Sequence, residues 1–394
     1  MFAKNRSFLF FFIGRTVDLA GSAMMPVVLA LAVLQATDSV SHTGLVLAAN
    51  VLPTLILMLI GGALADRLPR GRILTVTCTL SAVTQLAMAA VLWAQSFNLV
   101  FMTVLAAISG MIGAFSSPAL RGIVPDLVAE EDIQSANAAL ATSKNAAKIF
   151  GPTVAGVLVA FIGGGWALVI DAATFVIAAI FFSRLPGFTA PGRRSGLAAD
   201  IQDGLKAFSK MRWVWTLSLS YALINLLVIG PWQVLGPAIV RLDHSVAIWG
   251  LILSIRAAGL LISSLILLKL RFKNPLVAGL TLGALTGLPL LALGMSLPIT
   301  ILFATAFISS FGMAAAGVTY DSALQSRVPR QELSRVASID DLLSFATVPL
   351  SQALVGPAAG FVGAQELLLF CGVGVIALHL LPLLVRDVRH VTMG

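Results

Sequence analysis

Apolar residues in this chain run on for about twenty positions at a stretch, and short polar segments interrupt them at regular intervals. The runs fall at approximately 8–35, 43–65, 73–94, 98–120, 137–162, 165–184, 213–240, 246–269, 276–296, 299–324, 335–361 and 365–385. A helix needs about 20 mainly apolar residues to cross the hydrocarbon core of a bilayer. The pattern therefore predicts an all-α polytopic membrane protein of twelve transmembrane helices. Gly21, Pro26, Pro152, Pro231 and Pro357 lie inside these runs, where packed neighbours can satisfy the freed backbone groups. The first run follows Lys4 and Arg6, has no A-x-A-like cleavage site and exceeds a signal h-region, so it reads as a retained first helix.

Composition agrees with lipid as the main solvent. The 394 residues are 58% hydrophobic and 11% charged, with a mean hydropathy of +0.99, whereas soluble domains carry about 25% charged residues. The net charge of +8 does not call for nucleic acid, because that partner needs basic residues clustered on a soluble face. Of the 25 lysines and arginines, Arg15, Lys144, Lys148 and Arg256 lie inside runs and Arg241 lies in an odd-numbered loop. The remaining twenty fall in the tails and even-numbered loops or at the run ends that border those loops. By the positive-inside rule both termini are expected in the cytoplasm. Cys78 and Cys371 sit in separate apolar runs and the four histidines are scattered, so no disulfide, metal site or other cofactor is expected. A Walker A sequence is absent, which argues against direct ATP drive.

The longest loop divides the chain into a six-helix bundle at 1–185, a cytoplasmic linker at 186–211 and a second six-helix bundle at 212–394. The linker opens with Pro186, Gly187, Pro191, Gly192, Arg193 and Arg194. It continues with Leu197, Ile201, Leu205 and Phe208 between Asp200, Asp203, Lys206 and Lys210, the pattern of an amphipathic surface helix. The two bundles share short sequences about 204 residues apart: Val124-Pro125 and Val328-Pro329, Gly151-Pro152 to Gly156 and Gly356-Pro357 to Gly360, Arg67 and Arg271. Parallel repeats of six helices are one construction principle of secondary transporters.

Between the second and third runs stands Gly62-Ala63-Leu64-Ala65-Asp66-Arg67-Leu68-Pro69-Arg70. It resembles the major facilitator superfamily signature G-x-L-a-D-R-x-G-R, with Pro69 where glycine is usual, and the resemblance covers the whole chain. Ser117-Pro118-Ala119-Leu120, the Val-Pro pair and Ala136-Asn137-Ala138 resemble the macrolide-efflux and enterobactin-exporter branch. The resemblance implies two pseudo-symmetric bundles, with the first, fourth, seventh and tenth helices lining a cavity. It also implies a conformational latch at Gly62, Asp66, Arg67, Arg70 and Arg121. Asp66 can accept hydrogen bonds from a cation and a helix N-terminus, and topology anchoring is the alternative role of this cluster. Gly151, Pro152 and Gly156 match part of the antiporter motif of the fifth helix, with Ala147 and Ala155 in place of glycines; close packing explains them equally. Ala106 stands near the position of the fourth-helix arginine on which the family's standard proton antiport relies.

Charges inside the runs are the chemical candidates, because burying one costs about 2.5–3.5 kcal/mol on insertion scales. Arg15 and Asp18 share a helix face at i and i+3. Either they neutralise each other, or Asp18 exchanges a proton under the influence of Arg15. Arg256 has no acidic neighbour in sequence and can serve an anionic substrate or a coupling carboxylate. Lys144 and Lys148 can snorkel, Lys144 being a cavity candidate as well. Asp340 and Asp341 are expected to cap the start of the eleventh helix, with Asp341 a further proton-coupling candidate by resemblance. Asp321 reads as solvated and Asp171 as a packing position. Met24, Met25, Met111, Phe115, Tyr221, Asn225, Trp232, Gln233 and Met313 form an adaptable apolar lining for the cavity.

The expected function is an alternating-access carrier of the bacterial cytoplasmic membrane, acting as a monomer. Its expected task is export of drug-, antibiotic- or siderophore-like small molecules against inward proton movement. A uniporter or importer of a lipid, anionic or nutrient substrate is the main alternative. An enzyme would need a polar catalytic cluster, and a receptor a sizeable soluble domain; the pattern holds neither.

Overall fold

The computed structural model describes residues 6–389 apart from 66–68, 95–96, 130–131, 187–204, 268–269, 271 and 273. The chain divides into two compact units, Met1–Arg194 and Ser195–Gly394. In the first unit, α1 (Arg6–Thr37), α2 (Val40–Ala65), α3 (Arg70–Trp93) and α4 (Leu99–Gly122) are followed by a 50-residue helical run, Ile133–Phe182. That run breaks at Gly163, where φ is 81° and ψ 163°, giving α5 before the break and α6 after it. In the second unit, α7 spans Arg212–Asp243, α8 Val246–Leu267 and α9 Pro275–Gly294. They are followed by α10, Ile299–Arg327, and by α11, which runs from Arg330–Phe345 into Val348–Val362. The last span, α12, is Ala364–Leu384. Eleven helical runs among the described residues are long and apolar enough to cross a membrane, and the break at Gly163 makes twelve crossings.

The hairpins between spans are tight. Asp38 and Ser296 adopt positive φ, 50° and 51°, where α1 turns into α2 and α9 into α10. Gly163 and Gly363 do the same, at 81° and 95°, where α5 meets α6 and α11 meets α12. A left-handed backbone costs other residues roughly 1–2 kcal/mol, so glycine closes the two hairpins in which a single residue separates the helices. The residue two places before each is an outward-facing phenylalanine: Phe161 is 80% and Phe361 90% exposed. Such exposure is ordinary where the surrounding medium is hydrocarbon.

Within the first unit α1 packs on α5 and α6, α2 on α4, and α3 on α4 and α6. The second unit repeats the scheme: α7 packs on α11 and α12, α8 on α10, and α9 on α10 and α12. Gly14 and Gly21 of α1 lie against Phe182 and Thr174, and Ala32 lies against Gly164, so α1 and α6 run antiparallel at close range. Phe8, Phe11, Leu74, Ile123 and Phe182 belong to one buried cluster of this unit. Of the expected linker helix, only the end lies inside the described residues; Ala207 and Phe208 there pack on Val214, Leu324, Val328 and Val336.

Candidate functional site

In the first unit the charged centre sits on α1. Arg15 Nη1 donates to Asp18 Oδ2 in an ion pair whose side chains are 23% and 12% exposed. Neutral polar contacts flank it. Thr16 donates to Ser143 of α5 at 3.1 Å, and Gln85 of α3 donates to Met25 Sδ at 3.2 Å. A second carboxylate comes from α6: Asp171 is 0% exposed and closes over Gly21, together with Thr174. Neither oxygen of Asp171 has a hydrogen-bond partner among the described residues, the Thr174 hydroxyl being donated to the Asp171 main-chain carbonyl. Gly21 lies three residues beyond Asp18, so one stretch of α1 holds one cation and meets two carboxylates. The packing role read for Asp171 from its place in the sixth run says nothing of this proximity, since only the α1–α6 register reveals it.

In the second unit, α7 is deformed where it passes α11. Ser351 donates to the Leu226 carbonyl at 2.6 Å and accepts from the Gly230 amide at 2.7 Å. Its hydroxyl thus stands inside the i→i−4 bond that would close between those two groups. Pro231 follows and contributes no amide hydrogen. The helix answers with a π-helical turn, Pro231–Leu235, a distortion often found at functional sites. That turn carries Trp232 and Gln233. Trp232 packs at 4.8 Å against Trp249 of α8, the rings tilted by 47°, and the Arg256 guanidinium lies 4.7 Å over the Trp232 ring. Arg256 Nη2 also reaches Met313 Sδ of α10 at 3.3 Å, while its buried Nε has no acceptor. Gln233 accepts from Gln352 at 2.9 Å.

The other candidates are placed as follows. Met24 and Met25 are buried on α1; on α4, Met111 is exposed and Phe115 half-buried. Tyr221 meets the rings of Tyr320 and His379 edge-on at 5.3 and 6.3 Å, and Asn225 donates to the Ser344 carbonyl at 2.8 Å. Lys144 and Lys148 are exposed on α5. Gly151 packs against Ala23 of α1 so closely that a Cβ there would overlap it; Pro152 and Gly156 continue the same helix. Of the latch residues, Arg70 opens α3. Asp66 and Arg67, and the side chains of Gly62 and Arg121, lie outside the described residues.

The structure corrects one expectation. Asp340 and Asp341 do not cap α11, because its helix starts at Arg330 after Pro329 and has Glu332 in the first turn. Asp340 is instead buried, accepting from Ser218 of α7 and at 3.5 Å from Ser344. Asp341 is exposed. Asp321 is exposed on α10.

Two six-helix bundles with one ion pair and further charged groups inside the spans fit a membrane carrier. The chain belongs to the Major Facilitator Superfamily, whose family model matches residues 11–351; it is a multi-pass membrane transporter and not an enzyme. The multidrug efflux pump Tap of Mycobacterium tuberculosis (strain ATCC 25618 / H37Rv) is 25% identical over 387 residues, covering 95% of this chain and 92% of that protein. Its namesake from Mycolicibacterium fortuitum is 24% identical over 388 residues, covering 95% and 94%. Among solved structures, a bacterial homolog of the human lysosomal transporter Spinster superposes with a TM-score of 0.75 at 14% identity, over 99% of this chain and 98% of that one. A peptide transporter POT in complex with sulfate gives 0.74 at 13% identity, over 99% and 96%. At these identities the structural likenesses establish the fold.

Proposed function

We propose that the chain exports hydrophobic or amphiphilic small molecules from the bacterial cytoplasm by alternating access, driven by inward proton movement. The observation that carries the coupling is the Arg15–Asp18 pair on α1, enclosed in an otherwise apolar span. A carboxylate in hydrocarbon is stabilised by its cation or by a proton. Protonating Asp18 removes the charge that holds Arg15 and changes what the first unit presents to a substrate. The outward direction is supported by relatives named as multidrug efflux pumps, matched along nearly the whole chain. In this reading Gly62, Asp66, Arg67, Arg70 and Arg121 latch one state, Gly151, Pro152 and Gly156 set the close approach of α5 to α1, and one chain suffices for transport.

The test is transport of a pair of fluorescent amphiphiles, one cationic and one anionic, in proteoliposomes with and without an imposed pH gradient. Gradient-driven movement of at least one dye is expected. Asp18→Asn is expected to reduce it by about tenfold or more, the scale of one charged hydrogen bond. Undiminished gradient-driven transport by Asp18→Asn would remove Asp18 from the coupling. Equal rates with and without the gradient would make the protein a uniporter.

A further inference from the structure

We infer that the Arg256 centre of the second unit recognises the acidic group of an amphiphilic substrate, a carboxylate attached to an aromatic or aliphatic body. The inference rests on the small-molecule transport reading, but not on proton coupling or on direction. Arg256 lies ten residues beyond Val246 in α8 and eleven before Leu267, about 15 Å from either end at a rise of 1.5 Å per residue. A cation at that depth needs a counter-charge. Arg15 of the first unit has one in Asp18. Arg256 does not: among the described residues its guanidinium meets only the Trp232 ring and the Met313 sulfur, and no oxygen accepts from it.

The acids of the second unit do not fill the gap. Asp340 is the one buried acid among its described residues, and Ser218 and Ser344 already occupy it. Glu366 sits against Gly363 at the α11–α12 hairpin.

What surrounds Arg256 orients it without neutralising it. A cation–π contact fixes the guanidinium over Trp232, and thioether sulfur is a weak acceptor. The two Nη groups, held only by that weak acceptor, therefore stay available, and their geometry matches a carboxylate bidentately. Trp232 is backed by Trp249, and Met313, 39% exposed, leaves an open apolar side for the body of the ligand. The cation is thus set among groups suited to an amphiphilic anion.

The experiment is competition binding to the purified full chain in detergent. A pyrene-labelled fatty acid is the probe, displaced either by the unlabelled acid or by its methyl ester. In the wild type the acid is expected to compete about tenfold or more tightly than the ester, the ratio of one charge-assisted contact. Arg256→Gln is expected to abolish that ratio by weakening the acid far more than the ester, and Arg256→Lys to keep part of it. Equal competition by acid and ester in the wild type, or an intact ratio in Arg256→Gln, would overturn the assignment. Should Arg256→Gln fail to fold, Trp232→Leu, which removes the ring that orients the guanidinium, is expected to shrink the ratio, and an intact ratio there would likewise overturn the assignment. No gradient enters the measurement, so loss of proton-driven export in liposomes and loss of acid preference in binding are separately visible.

Discussion

Gly21 shows how much one missing Cβ can decide. Its Cα surface is where α6 brings in Asp171 and Thr174, and a Cβ built there overlaps the oxygens of both side chains. Gly21→Ala must therefore push α6 away or force Asp171 out of its place. Overpacking of this kind costs about 1–3 kcal/mol, and a lower midpoint in detergent thermal melts is expected. Removing the obstruction supplies the control: Asp171→Ala/Thr174→Ala is expected to relieve most of the penalty, a coupling that independent sites would not show. Additive melting shifts across that cycle would mean that the contact does not govern the packing. Arg15 and Asp18 were legible from sequence because their contact lies within one helix, at a spacing that puts both on one face. The Asp171 contact depends on the register between two helices 150 residues apart in the chain, which no local pattern encodes.

The bend of α7 belongs to the element scale, and it joins a helix defect to the candidate binding centre. Pro231 was visible in the sequence, but its partner in the distortion is a serine from α11, hidden within an apolar run. Helices kink where a proline falls or where a side chain inserts into the hydrogen-bond ladder; here both occur within one turn. Ser351→Ala lets the Gly230 amide bond Leu226 directly. Interhelical hydrogen bonds in membrane proteins average about 0.6 kcal/mol, so thermal stability is expected to fall by roughly 1 kcal/mol or less. The larger effect falls on Trp232, which the π-helical turn aims at Arg256. The preference for acid over ester in the competition assay is expected to shrink at least as much as in Trp232→Leu. An unchanged preference in Ser351→Ala would separate the bend from the site. Asp340 teaches a related lesson about element boundaries. The apolar run places the start of α11 near 335, but Pro329 and Glu332 start the helix at Arg330 in a segment too polar to count as span, which turns an expected cap into a buried contact with α7.

At the scale of the molecule, hydropathy and repeats carried nearly everything, because lipid leaves so few ways to satisfy a backbone. The runs, the pairs of Val-Pro and Gly-Pro, and the glycine hairpins at Gly163 and Gly363 all express one bundle used twice, and the same pairing scheme recurs in both units. Sidedness is the remaining global property, and it rests on charge alone: basic residues crowd the even-numbered loops, which the positive-inside rule predicts to be cytoplasmic. Labelling can test it directly. Cys78 and Cys371 are free and buried, so Cys78→Ser/Cys371→Ala makes a clean background for single cysteines. His244→Cys, exposed between α7 and α8, is expected to react with a membrane-impermeant maleimide on intact cells. Ser183→Cys, exposed at the end of α6, is expected to react only after permeabilisation. The opposite pattern would invert the protein in the membrane and, with it, the meaning of every gradient imposed in the transport assay. Reaction of both cysteines on intact cells would break the count of spans between Ser183 and His244, since an odd number of crossings must leave them on opposite sides.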